Sequence, residues 1–196
     1  MKTSDEEIEK YVIKKDVIDI FKRYNVNYFL ISLDTDSNDD YDNIINMIKM
    51  ADGVLIPGGK KGGNIELDVI KYLYDNNVPT LGICFGMQNM GKVLNGKRKR
   101  ILNHMWPHNE KYVHDVSILK DTLLYEIIKK DKIKVNSRHN YVLDYTDMKV
   151  SAISDEGYIE AVEDTSRKCF FGVVWHPEST NDENTKKIFD YFISKL

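Results

Sequence analysis

The sequence predicts an α/β fold, a three-layer sandwich in which helices cover both faces of a central, mostly parallel sheet. Two observations support this prediction. Apolar runs typical of buried strands alternate with helical patterns over residues 41–94, which is typical of a parallel sheet covered on both faces. Glycine-containing turns follow two of these runs directly, at residues 57–59 and 82–86. Since ligands bind outside the carboxyl ends of parallel strands, both turns lie where a functional site is expected.

The first half of the chain is predicted to alternate between helices and strands. A capping box at residues 4–7 predicts a first helix, which Asn25 ends. The elements expected next are a strand at 26–33, an acidic loop at 34–40, a helix at 41–50, a strand at 53–56, a helix at 65–75, a strand at 78–83 and a helix at 87–94. The acidic loop lacks the glycine and the distant glutamate of an EF-hand, so a solvated loop is favoured over a calcium site.

The second half is predicted to hold more strand and one closing helix. Four basic residues at 97–100 favour a solvated loop over a nucleic-acid patch, because no aromatic residues are interleaved with them. The elements expected next are a strand at 112–119, a helix at 121–130, a strand at 132–136, a hairpin of strands at 150–154 and 158–163 with its turn at Gly157, a strand at 170–175 and a helix at 182–196.

Composition indicates one globular domain spanning residues 1–196, with 42% apolar residues and a net charge of −3. A charge this small implies no nucleic-acid partner and no attraction to acidic membranes. No apolar run approaches membrane-spanning length, and residues 1–7 lack the apolar core of a signal peptide. The two cysteines are far apart and make no disulfide framework. We therefore expect a cytoplasmic protein without a membrane partner.

The turn after the strand at 78–83 carries the first sign of chemistry. Cys84 is flanked by Gly82 and Gly86, which is the nucleophile-elbow pattern G-x-S-x-G with cysteine in place of serine. The glycines leave room for a sharp strand-to-helix turn, and the start of the helix favours thiolate over thiol. The alternative is a packed cysteine at a strand end, since cysteine is among the most buried residue types.

A candidate base near the other end of the chain favours the catalytic interpretation. His176 and Glu178 lie two residues apart, just past the apolar run at 169–175. A cysteine nucleophile needs a base, and the base needs an acceptor that orients it. These two residues could supply both.

At the level of motifs, residues 82–88 (GICFGMQ) and 175–178 (WHPE) together resemble a class I glutamine amidotransferase. Further segments resemble the γ-glutamyl-γ-aminobutyrate hydrolase-like (γ-glutamyl hydrolase) branch of that superfamily, namely residues 112–116, 135–139, 155–161 and 172–178. The resemblance runs from Tyr11 to the C-terminus, with the motifs in family order. It implies the flavodoxin-like fold of the class I glutamine amidotransferases.

The resemblance implies catalytic roles for five residues. Cys84 would be the nucleophile, His176 the base and Glu178 the acceptor that fixes the imidazole tautomer. The oxyanion would be held by the backbone N–H groups of Gly59 and Phe85, the residue after the nucleophile.

Substrate contacts are implied in the same way. The positions that match are Gly58, where no side chain blocks the substrate, together with Gln88, Asn136, Ser137 and His139. Arg138 is added on charge grounds as a carboxylate partner, the alternative being a solvated loop arginine. No cofactor or metal is expected, because the spacings of His104, His108 and His114 match no zinc motif.

The chain departs from the γ-glutamyl hydrolase branch in three places. Nothing before Ile8 can form the usual first strand, Phe85 stands where that branch commonly has arginine, and residues 139–141 (HNY) replace its His-His-Gln. An apolar residue after the nucleophile is closer to the glutaminase components of amidotransferases. Leaving-group specificity is therefore left open by the sequence.

Three functions are weighed on this basis. The preferred hypothesis is a stand-alone cysteine hydrolase that cleaves a small-molecule γ-glutamyl amide through a thioester and releases glutamate, because the loop at 136–139 matches and no second domain is present. The alternative is a glutaminase subunit that passes ammonia to a separate synthetase partner. A third possibility is a redox or chaperone protein with an oxidisable elbow cysteine. The histidine–glutamate pair argues against that third function.

Overall fold

The computed structural model describes residues 13–33, 38–59, 64–102, 104 and 110–196. The helices in these parts are α1 (Lys15–Arg23), α2 (Asn38–Ile48), α3 (Asn64–Asp75), α4 (Phe85–Val93), α5 (Leu123–Ile128) and α6 (Glu183–Ile193). The strands are β1 (Val54–Ile56), β2 (Thr80–Ile83), β3 (Lys97–Arg100), β4 (His114–Ile118), β5 (Lys132–Val135), β6 (Tyr141–Tyr145), β7 (Lys149–Ser154), β8 (Ile159–Glu163) and β9 (Phe170–Val173). No described helix has the length and apolar character needed to span a membrane.

The described strands form one curled, mixed sheet in the order β1-β2-β9-β8-β7-β4-β5, with β6 on β8 and β3 on β6. The predicted α/β sandwich is confirmed, but only the pairings of β1 with β2 and of β2 with β9 are parallel. The other described pairings are antiparallel. The prediction of a mostly parallel sheet therefore holds only for β1, β2 and β9. Strands β7, β8 and β9 follow one another through short loops, and short loops join antiparallel neighbours.

Two apolar clusters, one on each face of the sheet, make the three layers. Strand β9 contributes to both, because successive side chains of a strand point to opposite faces. Phe171 belongs to the cluster with Ile20, Leu124 and Phe189, from α1, α5 and α6. The neighbouring Phe170 belongs to the cluster that takes its helical members from α2, α3 and α4. Each of these phenylalanines is about 99% buried, which stabilises the fold by about 1.5–3 kcal/mol per side chain.

Helix α4 lies close against the parallel strands because two glycines leave room for it. A Cβ on Gly82 would lie 2.7 Å from the backbone nitrogen of Met87, and one on Gly172 would lie 2.7 Å from the Met87 Cβ. Both distances are far below van der Waals contact. The start of α4, and with it the cysteine that precedes it, is therefore held tightly at the carboxyl end of β2.

The predicted strand at 26–33 is wrong. These residues are described, but they pair with no described strand. Tyr28, Phe29 and Leu30 are 41%, 45% and 55% exposed. Residue preferences alone do not make a strand, because a strand forms only where a neighbour accepts its hydrogen bonds.

The basic run at 97–100 is also not the loop that was expected. It forms β3, whose described partner is β6, itself a strand that the sequence did not predict. Charged residues are common on such edge strands because they discourage further strand pairing. The capping box at 4–7, the acidic residues 34–37 and His108 lie outside the described residues. Of the first predicted helix, the described residues contain α1, which begins only at Lys15 because Lys14 is in extended backbone. The other predicted helices and strands are confirmed with ends shifted by a few residues.

Candidate active site

The predicted elbow at Cys84 is present. Cys84 ends β2 and precedes α4, with φ 53° and ψ −107°. Such a conformation costs a residue with a side chain on the order of 1–3 kcal/mol and is characteristic of functional sites. Two backbone hydrogen bonds hold it, since its N–H donates to Val173 at 2.8 Å and its carbonyl accepts from Gln88 at 3.1 Å. A Cβ on Gly86 would overlap the Ile56 carbonyl, so the turn requires glycine there.

His176 and Glu178 meet Cys84 from the far end of the chain. They follow β9, which lies beside β2 in the sheet. The His176 Nδ1 is 2.6 Å from Glu178 Oε1, and both residues are buried. The imidazole also hydrogen-bonds with Cys84. The structure therefore brings the sulfur, the imidazole and the carboxylate into one connected row.

The electrostatics of this row favour a protonated imidazole. Burial by itself disfavours the imidazolium, but the hydrogen bonds with Cys84 and Glu178 outweigh it and raise the pKa of His176 to about 9. His176 therefore carries a proton at neutral pH. An imidazolium beside a cysteine sulfur stabilises the thiolate, which is the nucleophilic form.

The glycine turn after β1 faces this row from the other side. A Cβ on Gly58 would lie 2.7 Å from His176 Cε1 and 3.2 Å from Cys84 Cβ. A Cβ on Gly59 would lie 3.7 Å from Phe85 Cδ1, at ordinary contact distance. The two glycines and Phe85 thus border the cysteine as expected, while the oxyanion role of Gly59 and Phe85 stays a prediction.

Asn136 is part of the site, but it is already engaged. Its side-chain amide donates to the His176 carbonyl and accepts from the His176 N–H, both at 2.8 Å. The residue is fully buried. These contacts hold the backbone of the imidazole-bearing residue in place, so Asn136 acts on His176 directly. Its contact with substrate stays a prediction.

The other predicted residues of the loop at 136–139 contact different neighbours. Ser137 donates to the carbonyl of His104, and His139 Nδ1 lies 3.1 Å from the Tyr141 carbonyl oxygen. Burial lowers the pKa of His139 to about 3, so its ring is neutral. Arg138 donates through Nη1 to Ser179 Oγ at 2.8 Å. Its proposed pairing with a substrate carboxylate remains untested.

Gln88 has a neighbour that the sequence did not reveal. Its Nε2 donates to the Tyr141 carbonyl at 2.7 Å, and its Oε1 lies 3.5 Å from Arg98 Nη1. The Arg98 guanidinium also lies 4.8 Å from the centre of the Phe85 ring. Arg98 was expected in a solvated loop. The pairing of β3 with β6, which the sequence did not predict, brings it beside the elbow.

One further group of side chains could hold a metal. The ligand atoms of His104, His114 and Glu160 all lie within 4.8 Å of one another, and all three residues are buried. The histidine spacing had argued against a metal. Spacing could not reveal Glu160, because it comes from β8, remote in sequence.

The site has the arrangement of the enzymes that cleave amides through a cysteine. It combines a buried cysteine on an elbow with an imidazole held by a carboxylate, on an α/β sheet. The chain belongs to the glutamine amidotransferase class-I family, a family of glutamine-hydrolysing enzymes, whose sequence model matches residues 9–196.

Several curated proteins are similar to the chain. It is 32% identical over 146 residues to protein NtpR of Enterococcus hirae, covering 67% of this chain and 61% of NtpR. It is 31% identical over 157 residues to one subunit of the glutamine-hydrolyzing GMP synthase of Picrophilus torridus, covering 74% and 77% of the two chains. A CTP synthase of Methanosphaera stadtmanae is 30% identical over 190 residues. That match covers 79% of this chain but 36% of the CTP synthase.

Solved structures share the fold. A putative GMP synthase subunit from Thermoplasma acidophilum superposes with a TM-score of 0.73 at 20% identity, covering 92% of this chain and 86% of the other. The glutaminase domain of the Trypanosoma brucei CTP synthase superposes with a TM-score of 0.71 at 19% identity, covering 92% and 87%. The family model and the curated relatives support the superfamily but not the γ-glutamyl hydrolase branch. The short motifs at 135–139 and 155–161 were too general to place the chain within it.

Proposed function

We propose that this chain is the glutaminase component of an amidotransferase, which hydrolyses glutamine and delivers ammonia to a separate synthetase. The observation that carries the proposal is the connected row of Cys84, His176 and Glu178 on a strained elbow. The similarity to a synthase subunit and to a glutaminase domain supports ammonia delivery as the purpose of the reaction. A free thiol nucleophile needs a reducing compartment, so the proposal includes a cytoplasmic setting.

The reaction begins at the carboxamide of glutamine. The Cys84 thiolate attacks its carbon, and the carbonyl oxygen gains the negative charge. We assign stabilisation of that oxyanion to the N–H groups of Gly59 and Phe85. His176 then gives its Nε2 proton to the leaving nitrogen, because Nδ1 is held by Glu178. The C–N bond breaks, ammonia leaves, and a γ-glutamyl thioester remains on the sulfur.

Water completes the cycle. His176 is now neutral and takes a proton from the water as it attacks the thioester. The carbon–sulfur bond breaks, glutamate is released, and the sulfur returns to thiolate beside imidazolium. Glu178 keeps the imidazole in one tautomer throughout and stabilises its charged form, without itself becoming protonated.

The glutamyl portion is assigned to the surrounding residues. Gln88 and Ser137 are buried polar groups beside the elbow and the 136–139 loop, and His139 offers a neutral ring there. The proposal also keeps Gly58 as the face that a substrate side chain passes, and Arg138 as a candidate for the α-carboxylate. No cofactor takes part in these steps.

The experiment is glutamate release from glutamine by the purified chain and by Cys84→Ala. Loss of the nucleophile is expected to lower the rate by about 10⁴-fold or more. The matched control is Cys169→Ala, because Cys169 is the other buried free cysteine. Burial raises the pKa of its thiol to about 12, so it stays protonated and inert. Retained hydrolysis in Cys84→Ala, with circular dichroism unchanged, would refute the assignment.

A second candidate function is a stand-alone hydrolase of γ-glutamyl amides. The loop at 136–139 favours it, because its sequence matches that branch. It differs from the first in the leaving amine and in having no synthetase partner. The rates at which the chain hydrolyses glutamine and γ-glutamyl amides of larger amines distinguish the two functions.

A further inference from the structure

A buried cluster of ionisable side chains lies outside the row that performs the proposed chemistry. His104 lies beyond β3, His114 begins β4, and Glu160 belongs to β8. These residues are 2%, 9% and 0% exposed. Their ligand atoms converge to within 4.8 Å of one another although they come from three separate parts of the chain.

The geometry of the cluster fits a metal ion. His104 Nε2 lies 3.5 Å from Glu160 Oε1. Two ligand atoms that bind Zn²⁺ tetrahedrally at about 2.0–2.1 Å are separated by about 3.4 Å. The observed separation therefore needs almost no adjustment, and the other separations, which are at most 4.8 Å, need a shift of no more than about 1.5 Å.

The burial of the Glu160 carboxylate also favours a bound cation. The carboxylate is fully buried, and neither oxygen has a hydrogen bond of ordinary geometry to any residue in the described part of the chain. A cation at this point would compensate a buried carboxylate in the way that an apolar surrounding cannot.

The cluster offers two buried imidazoles and one buried carboxylate. Neutral imidazole nitrogen and carboxylate oxygen are ligands that Zn²⁺ accepts, and two histidines with one carboxylate form a known zinc set.

We propose that His104, His114 and Glu160 bind one divalent transition-metal ion of the Zn²⁺ type, with water as the fourth ligand. The ion would join the segment beyond β3 to β4 and β8. Because Ser137 donates to the His104 carbonyl, that junction would also support the loop beside the active site. Because the ion would lie outside the row of Cys84, His176 and Glu178, we assign it to holding this junction together and not to bond cleavage.

Metal binding is best tested where the catalytic thiol cannot compete. Thiolate and imidazole are themselves zinc ligands, so every variant is made in a Cys84→Ala background. The protein is stripped with a chelator, dialysed and titrated with Co²⁺ and with Zn²⁺. We expect one equivalent of Co²⁺ with the visible absorption of a four-coordinate site, and a rise in the melting temperature on adding Zn²⁺.

Glu160→Gln keeps the size of the side chain and removes its charge, and His114→Asn removes one nitrogen ligand. Each is expected to weaken binding by at least about 10-fold and to abolish the zinc-induced rise in melting temperature. The matched control is Glu66→Gln, a buried carboxylate paired instead with Asn89, which should bind metal like its parent.

The proposal is wrong if the Cys84→Ala parent takes up less than one equivalent, or if Glu160→Gln binds as tightly as the parent. Circular dichroism of the stripped variants separates lost binding from lost folding. If one ligand variant fails to fold, the other decides. Because the nucleophile is absent from all these proteins, the result is independent of the proposed glutaminase activity.

Discussion

Gly58 offers a sharp test at the scale of a single residue, because its missing side chain makes room for the imidazole. A methyl group there would lie 2.7 Å from His176 Cε1, so His176 would have to move by close to an ångström. Misplacement of that size costs about 10²-fold in rate. We therefore predict that Gly58→Ala lowers kcat for glutamine by about 10²-fold while leaving the melting temperature nearly unchanged.

Gly59→Ala is the matched comparison for that prediction. The added methyl group would meet Phe85 at 3.7 Å, an ordinary contact, and the backbone N–H would be kept. Steady-state kinetics of both variants should show a much smaller loss for Gly59→Ala. Equal losses would mean that contact with His176 is not what requires glycine at Gly58.

The pKa of His176 predicts how the rate depends on pH. In the folded chain it is about 9, above its ordinary value of 6.5. The proton needed by the leaving nitrogen is therefore present below about pH 9 and lost above it, so kcat/KM should fall on the alkaline side with an apparent pKa near 9. The stability that the charged ring adds is complete below about pH 6.5 and disappears as the pH rises through 9.

Glu178→Gln should alter that profile in a defined direction. Its hydrogen bond and negative charge both raise the pKa of His176, so their removal should shift the alkaline limb to lower pH. We expect kcat to drop by roughly 10²-fold or more, with KM little changed. A pH–rate profile identical to that of the wild type would show that another group orients His176.

The row of Cys84, His176 and Glu178 could be predicted from sequence because its members sit in short, local motifs. Cys84 is marked by its glycines, and His176 with Glu178 by their spacing after a strand. Arg98 and Glu160 could not be found this way. Arg98 lies beside the elbow through the pairing of β3 with β6, and Glu160 lies near His114 because β4 pairs with β7, the neighbour of β8.

At the scale of elements, β3 is expected to support substrate binding. Arg98 lies over the Phe85 ring at 4.8 Å and 3.5 Å from the oxygen of Gln88. An interaction of a guanidinium with an aromatic ring is worth about 0.5–1 kcal/mol. We predict that Arg98→Ala raises KM for glutamine by about two- to fivefold with little change in kcat.

The neighbouring Lys99 provides the control for that prediction. It is on the same strand, is exposed and pairs with Asp144 at 2.8 Å. Lys99→Ala should leave KM and kcat unchanged if the effect belongs to Arg98 and not to β3 as a whole. An equal rise in KM in both variants would point to a general change in charge near the site.

Elements were predicted well where packing and residue preference agree. Helix α3 is an example, since its apolar residues recur at helical spacing and Ile65, Val69, Ile70 and Leu73 are buried. The segment at 26–33 has strand-forming residues but no described neighbour to pair with, whereas β3 has four basic residues and a partner in β6. The presence or absence of a pairing partner therefore outweighed residue preference in both segments.

At the scale of the whole molecule, the class of fold could be predicted, but the direction of its strands could not. The alternation of helix and strand before Leu94 indicates a crossover, and β1 and β2 are parallel as a result. Strand β9 then pairs parallel with β2 from near the end of the chain. Which way the later strands run depends on which of them pair, and that is decided by long-range contacts. The parallel part carries Cys84 and delivers His176, so these two residues lie together although the later strands run antiparallel.

We expect the space that the folded chain leaves beside His176 to determine which amine can be the leaving group. A component that delivers ammonia has to accept glutamine itself, whereas a γ-glutamyl amine hydrolase has to accommodate a larger amine beside His176. Phe85, half-buried under Arg98, lies on the border of this space.

We predict that kcat/KM for glutamine exceeds that for γ-glutamyl amides of larger amines by at least about 10-fold, with ammonia and glutamate released in equal amounts. Parallel assays of glutamate release over such a panel measure this ratio, with Cys84→Ala as the blank for each substrate. A larger amide that is hydrolysed faster than glutamine would instead identify a stand-alone γ-glutamyl hydrolase.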